Sequence, residues 1–494
     1  LEKRDSGSAN GGKISETYPL TFYHINDVHA HLDQFRSTGS TCTDPTKGCV
    51  GGYARVKTVI DKNRPTKNNS LFLNAGDEFQ GTLFYTLFKG EKISVVLNQL
   101  GFDAFTLGNH EFDDGDDLLA GFLHNLTFPV ISSNVHSQNK DLASALVPYK
   151  VFPEHQLGLV AVTTETTSTI SKPSNLTTFE KPLDAIQRTI LDIKTSHPTI
   201  NRFVALTHIG YDEDIALAKA STDISLIIGG HSHTLLGNDT GSKGPYPTIV
   251  KNAVGDEVFV VTSFRWGEYL SYIDIEFDER GKIVQYEGAP IHLTNTTEES
   301  PQLKSQISEW AKAFDEYSKT VVGSTDQKLV QSTCQSEECT MGDFSADAME
   351  DYRSDSVAGI INAGGMRTEV DAGNITLQTS LEVFPFGNSV TQLDFTGADL
   401  WDAFEGIVSK QSIKNNQIVT SFVQVSRSIK FTYNPGNSIG SRLITLVIKG
   451  EPVDLQKTYR ITTLDYLATG GDNFFPARSE FTTLDTIDAV WANY

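Results

Sequence analysis

The chain has 494 residues, and 40 Lys and Arg against 62 Asp and Glu give it a formal net charge of -22. That balance excludes the basic footprint that nucleic-acid binding requires, and it favours solubility. The length exceeds one ordinary core, so two domains are expected, and no apolar run approaches the length of a membrane helix.

The first four residues, Leu1-Glu2-Lys3-Arg4, read as the dibasic end of a yeast secretion leader, with Asp5 as the mature start. Residues 1–18 are expected to be a leader scar and a flexible N-terminus. Five apolar runs follow, each ending in a short polar motif. Leu20-Thr21-Phe22-Tyr23-His24-Ile25 leads to Asp27-Val28-His29, and Leu71-Phe72-Leu73 leads to Gly76-Asp77. Ala104-Phe105-Thr106-Leu107 leads to Gly108-Asn109-His110-Glu111. Phe203-Val204-Ala205-Leu206 leads to His208, and Leu226-Ile227-Ile228 leads to Gly229-Gly230-His231-Ser232-His233. Runs of this kind predict buried parallel strands. Helical stretches at 93–100 and 182–195 lie between them, so residues 19–300 read as an α/β catalytic domain. A polar break at 295–301 opens a linker helix over 301–323. Ile307, Trp310, Ala311 and Phe314 share one of its faces, and packing on either domain suits that face equally. Residues 324–494 read as a second unit of mixed strands and helices. The closing Val490-Trp491-Ala492-Asn493-Tyr494 carries no apolar tail of the sort that precedes a lipid anchor, although a chain cut before such a tail would read the same.

Ligands in open α/β sheets collect beyond the carboxyl ends of the strands. The five motifs therefore deliver Asp27, His29, Asp77, Asn109, His208, His231 and His233 to one sheet edge. Seven mixed imidazole, carboxylate and amide donors are too many for one ion and suit two divalent metals. Asp77 is the natural bridge, because its two oxygens can hold two cations about 3.5–4 Å apart. Asp27, His29 and one imidazole of the His231/His233 pair would complete one shell. Asn109, His208 and the other imidazole would complete the second. In an extended segment both imidazoles would face the same side. His110 sits beside a ligand, and Asp113, three residues on, could orient it and hold it protonated, making a catalytic pair. Taken singly, each motif is common; the ordered set is not. His24, His124, His136, His155, His197 and His292 fit no motif and read as ordinary core or surface histidines.

The four cysteines fall into two close pairs, Cys42 with Cys49 and Cys334 with Cys339. In a secreted protein these read as local disulfides. Three connectivities are open, and proximity favours this one. A zinc knuckle is the alternative, though neither pair has Cys-x-x-Cys spacing. Sequons at Asn68, Asn125, Asn175, Asn238, Asn295 and Asn374 also point to an extracellular glycoprotein.

At the metal motifs the sequence resembles the calcineurin-like metallophosphoesterases, and more narrowly the 5′-nucleotidase family. The second unit carries the likeness in Asn362-Ala363-Gly364-Gly365-Met366-Arg367, Pro385-Phe386-Gly387-Asn388, Phe422-Val423-Gln424-Val425-Ser426 and Ala468-Thr469-Gly470-Gly471-Asp472-Asn473-Phe474. Both cysteine pairs also resemble those of the animal ecto-5′-nucleotidases. The resemblance implies a four-layer α/β/β/α catalytic domain, a smaller α/β substrate domain, a cleft between them and a domain rotation. It implies nucleotide contacts from Asn362, Gly365 and Arg367, and a base sandwiched by Phe422 and Phe474, with Phe475 competing for the second position. Arg suits phosphate oxygens, and base stacking contributes about 1–3 kcal/mol with little base selectivity. Two departures stand out. Relatives place arginine near the Cys334/Cys339 loop, where this chain has Gln335-Ser336-Glu337-Glu338 followed by Asp343, and Ala363 replaces a usual glycine.

The expected activity is that of a secreted, metal-dependent 5′-nucleotidase. A metal-bound hydroxide would attack a nucleoside 5′-monophosphate in line with the leaving oxygen. Zinc is the first choice of metal, and manganese, iron or cobalt suit the same donors. Alternatives are an apyrase-like ADP and ATP hydrolase, a 2′,3′-cyclic phosphodiesterase with 3′-nucleotidase activity, and a non-catalytic nucleotide-binding protein. The partner is a small nucleotide rather than a nucleic acid, and no feature fixes an oligomeric state.

Overall fold

The computed structural model describes residues 17–42 and 44–494, so the leader residues and Asp5 lie outside the described residues. The chain divides into two compact units. One holds most of the chain up to Trp310; the other holds Ala311–Tyr494 with two short pieces, Thr38–Ser40 and Gly81–Leu83.

The first unit is built on two sheets with parallel centres; the first is antiparallel at one edge and the second at both. Strands of the first run in the order Ile283–His292, Tyr269–Phe277, Tyr18–Ile25, Ser70–Asn74, Ala104–Thr106, Val130–Ile131 and Leu146–Val147. The second has Thr248–Lys251, Glu257–Thr262, Leu226–Gly229, Arg202–His208, Leu157–Thr163 and Tyr149–Phe152. The apolar runs are continuous because both faces of each central strand are covered. One core cluster joins Phe22, Leu71 and Leu73 of the first sheet to Leu159, Ala161, Val204, Leu206 and Ile228 of the second. The alternate residues Val160, Val162, Phe203 and Ala205 turn the other way and pack with Ile186, Ile190 and Ile193 of the helix Pro182–Ser196. On the far face of the first sheet, Phe105 meets Phe122 of the helix Gly115–His124 edge-on, with ring centroids 6.4 Å apart. The layers are therefore α/β/β/α.

Strand register aligns the ends that matter. Ile25 pairs with Asn74, and Leu206 pairs with Ile228. Five of the seven predicted ligands then fall just past a strand end, His29 follows Asp27 in the same loop, and His208 is the last residue of its strand.

The linker region departs from the expected single helix. It is Pro301–Ala311, a 3-10 turn Lys312–Phe314, and Asp315–Lys319. The helix stops there because Thr320 is extended and the β-branched Val321 and Val322 enter a strand, Val321–Thr325, paired with Gly373–Thr376. Leu303, Ile307 and Phe314 are buried.

The second unit has a five-stranded sheet in the order Val423–Val425, Ala358–Asn362, Thr458–Leu464, Ser389–Thr396 and Thr482–Thr486. Its helix Gly397–Ser409 opens with a reciprocal cap between Thr396 and Asp399. The cysteines pair as Cys42–Cys49 and Cys334–Cys339, which removes the zinc-knuckle alternative.

Candidate metal centre

The Asp27 loop lies laced along the Asp77 loop. The backbone N–H of Asp27, His29 and Ala30 donate to Gly76 O, Asp77 O and Glu78 O at 2.9, 3.0 and 2.8 Å. Such close approach explains the glycines. A Cβ on Gly76 would stand 2.5 Å from Gly108 N, and one on Gly108 would stand 2.1 Å from Asp77 Oδ1. Five predicted ligands adopt left-handed backbone: Asp27, His29, Asp77, His231 and His233 have φ of 51, 50, 60, 82 and 48°. Non-glycine residues rarely hold this conformation, and it clusters where function needs it.

These loops bring two groups of donors together. Asp27, His29 and His233 form one, and Asp77, His208 and His231 form the other, with donor atoms within 4.8 Å of one another in each. Each group draws on both sheets. The His231-Ser232-His233 segment is not extended as expected. Its left-handed turns send His231 and His233 to different groups. Asp77 Oδ2 is 3.0 Å from His208 Nε2 and 3.8 Å from His29 Nε2, so one oxygen neighbours a member of each group. Asn109 is buried at this edge.

The chemistry of these donors fits bound cations. His29 and His208 turn Nδ1 to the carbonyls of Phe79 and Ala75 at 2.9 and 2.7 Å, which directs each Nε2 into the centre. His29 Nε2 and His233 Nε2 approach to 3.0 Å, a contact between lone pairs unless a proton or a cation lies between them. Buried Asn109 Oδ1 has no hydrogen-bond partner, and buried His208 Nε2 faces Asp77 Oδ2 at 3.0 Å without hydrogen-bond angles. The field is strongly negative. Burial lowers the His208 imidazole, yet Asp77 and Asp27 overcome it and push the pKa up to about 10. Burial raises Asp77 and Asp27, but the surrounding histidines, His208 first, hold both below the ordinary carboxylate range. His231 is pushed down to about 4, by burial and then by His208.

His110 stands beside this set in the 3-10 turn His110–Phe112, which supplies the bend needed for Asp113 to reach it. Its Nδ1 is 2.8 Å from Asp113 Oδ2, its backbone N–H donates to Asp77 Oδ1 at 2.9 Å, and its ring meets His29 edge-on at 5.3 Å.

Several residues of the centre escaped the motif reading. Buried Glu111 accepts four backbone N–H groups, from Asp77, Glu78, Phe79 and Gly108. Burial and then Asp77 raise it to about 7, against those amides. Asn26 donates to Asp27 Oδ2 at 2.6 Å and to Phe264 O at 2.9 Å. His31 turns Nδ1 to the carbonyls of Val28 and His29 and stacks on Trp266, whose backbone N–H donates to Asp27 O. Glu111 lay inside a quoted motif, but no spacing signals a residue that serves backbone amides of another loop.

In the second unit Asn362 ends its strand buried, with Nδ2 donating to Asp472 Oδ2 at 2.7 Å and Oδ1 without a partner. A Cβ on Gly365 would stand 2.8 Å from that Oδ1. The Arg367 guanidinium lies 5.5 Å from the Phe386 ring centre and donates to Gly364 O at 3.4 Å. Phe422 is partly exposed, and its N–H donates to Gln335 Oε1 at 3.1 Å, which places the Cys334–Cys339 loop beside it. Phe474 is only 3% exposed, and Phe475 packs on Phe395 at 4.6 Å.

Two facing sheets with mixed imidazole and carboxylate donors at their carboxyl edge define a metallophosphoesterase, a hydrolase of phosphate esters. Residues 20–235 match the profile described as calcineurin-like phosphoesterase, and residues 321–480 match that of the 5′-nucleotidase C-terminal domain. The chain belongs to the 5′-nucleotidase family. It is 33% identical to the 5′-nucleotidase of Homo sapiens, over 95% of this chain and 86% of that relative. It is also 33% identical to an apyrase of Tabanus yao, over 92% of this chain and 86% of the relative. The crystal structure of a 5′-nucleotidase precursor from Thermus thermophilus superposes with a TM-score of 0.87 at 31% identity, covering 96% of both chains. Among the described residues no helix is long and apolar enough to cross a membrane.

Proposed function

We propose that this chain is an extracellular 5′-nucleotidase that hydrolyses nucleoside 5′-monophosphates to nucleoside and phosphate. The observation that carries the reading is the pair of donor groups meeting at Asp77 Oδ2, with His110 alongside. Asp27, His29, Asp77, Asn109, His208, His231 and His233 are the proposed metal ligands. Two divalent cations held by them, zinc first, would polarise phosphoryl oxygens and lower the pKa of a bound water. His110 and Asp113 are the proposed catalytic pair. In its doubly protonated, imidazolium form His110 donates its Nδ1 proton to Asp113 Oδ2, and the opposite ring nitrogen then donates to a phosphoryl oxygen as charge develops on it. We assign nucleotide contacts to Asn362, Gly365 and Arg367, and base stacking to Phe422 and Phe474. Phe422 offers the more open ring, and Phe474 would have to be uncovered to take part. The two disulfides support an oxidising, extracellular setting.

A second reading, hydrolysis of ADP and ATP, is favoured by the likeness to an apyrase. Phosphate release from AMP, ADP, ATP, 2′,3′-cyclic AMP and UDP-glucose, each with an EDTA control, separates these readings. AMP should lead, and EDTA should abolish release. Turnover that survives EDTA would refute the metal reading, and preference for ATP would replace the first substrate by the second.

A further inference from the structure

We propose that Ser171 is a positioning residue for His110. This inference rests on the reading above, in which His110 meets the reacting phosphoryl group. Asp113 uses Oδ2 for His110 Nδ1, at 2.8 Å. Its other oxygen, Oδ1, accepts the Ser171 hydroxyl at 2.6 Å. A carboxylate held through one oxygen can swing about its last side-chain torsion, a broad and shallow well. Held through both, it is fixed in plane, and the imidazole it orients is fixed with it.

Ser171 is itself well anchored. It closes the short helix Thr167–Ile170, with its N–H donating to Thr167 O at 3.0 Å. Three residues on, Ser174 ties the same loop to Asp116 through both its backbone N–H and its hydroxyl, at 3.0 and 2.5 Å. Thr177 adds its hydroxyl to Asp116 at 2.6 Å. The segment 171–177 is thus a strap pinned to Asp113, at the end of the His110 turn, and to Asp116 in the helix that follows it. Only Ser171 reaches the orienting carboxylate itself. Asp113 is 8% exposed, so water has little access to replace a lost donor.

The test uses the metal-loaded full chain. Ser171→Ala should lower kcat on AMP by about tenfold, the effect of one hydrogen bond lost to a charged group, with KM and bound metal unchanged. Ser171→Thr retains the hydroxyl on an extended backbone (φ -145°) that a β-branched residue accepts, and should recover most of the loss. Ser174→Ala loosens the strap without touching Asp113 and should leave kcat unaltered. In a His110→Ala background, Ser171→Ala should have no further effect, because the group it positions is gone. The proposal is overturned if Ser171→Ala turns over AMP normally, if Ser174→Ala costs as much, or if the Ser171→Ala loss persists in full without His110. Should His110→Ala alone leave kcat unchanged, the role of His110 itself fails and the Ser171 proposal falls with it. A melting temperature for each variant separates misfolding from mispositioning.

Discussion

The carboxylate of Glu111 accepts the backbone N–H of Asp77 at 3.0 Å, so a residue that is not a proposed ligand fixes the loop of one that is. The same carboxylate gathers the N–H groups of Glu78, Phe79 and Gly108. Glu111→Ala would leave four donors unsatisfied at a site with no exposure. We expect a loss of about 3 kcal/mol or more in the metal-free protein, together with weakened metal binding. Urea denaturation and metal titration check it. A variant as stable as the parent would mean that the amides find other acceptors.

Asp77→Asn retains shape but removes the charge shared by the two donor groups. It should lose most activity and much of the bound metal. Elemental analysis alongside turnover decides the matter, and two metals per chain at normal turnover would contradict the bridging role.

His110→Ala should lower kcat by about 10²–10³-fold, the usual loss for one transition-state donor. Metal content should hold, since His110 is not a proposed ligand. Metal loss in this variant would place His110 in the ligand set instead.

Phe422→Ala should raise KM for AMP and spare p-nitrophenyl phosphate, which has no base to stack. Phe474→Ala should act differently. Its ring is 3% exposed, so truncation should cost about 3–5 kcal/mol of stability as well as any effect on binding. Equal effects of Phe422→Ala on both substrates would remove it from base recognition.

Asp214 gives a pH signature. Burial raises its pKa to about 8, despite the Thr207 hydroxyl bond, against an ordinary carboxyl value of 3.8 in the unfolded chain. The folded state therefore binds the proton more tightly. That contribution is complete below the unfolded pKa, declines above it, and is gone once the pH passes about 8. Metal-free protein should lose stability across this window, and Asp214→Asn should flatten the slope. Parallel curves for the two proteins would show that Asp214 ionises as freely in the fold as in the unfolded chain.

Legibility in the sequence followed physical range. Phe22 to Asp27 and Leu206 to His208 could be read because burial on both faces demands an unbroken apolar run and a polar stop. Local cysteine pairing could be read for the same reason of proximity. The division of His231 and His233 between two shells could also be read, but which histidine joins which group could not, because that depends on left-handed backbone at both residues. The helix end at Lys319 was equally hidden. Val321 and Val322 continue an apolar pattern, and their pairing partner Gly373–Thr376 lies some fifty residues on. Phe474 illustrates a third limit. Its identity suits stacking, but only the packed structure tells whether its face is open.

Each donor group takes residues from both sheets: Asp27 and His29 join His233 from across the sandwich, while Asp77 joins His208 and His231. A cation bound there acts as a rivet between two layers that otherwise meet through apolar side chains. Neither sheet alone supplies a complete donor group, so a cation held by either group would favour the chain with both sheets formed over one with a single sheet. Metal supply would then raise the stability of the folded chain as well as serve the proposed reaction, since a ligand of the native state alone raises stability with its own concentration.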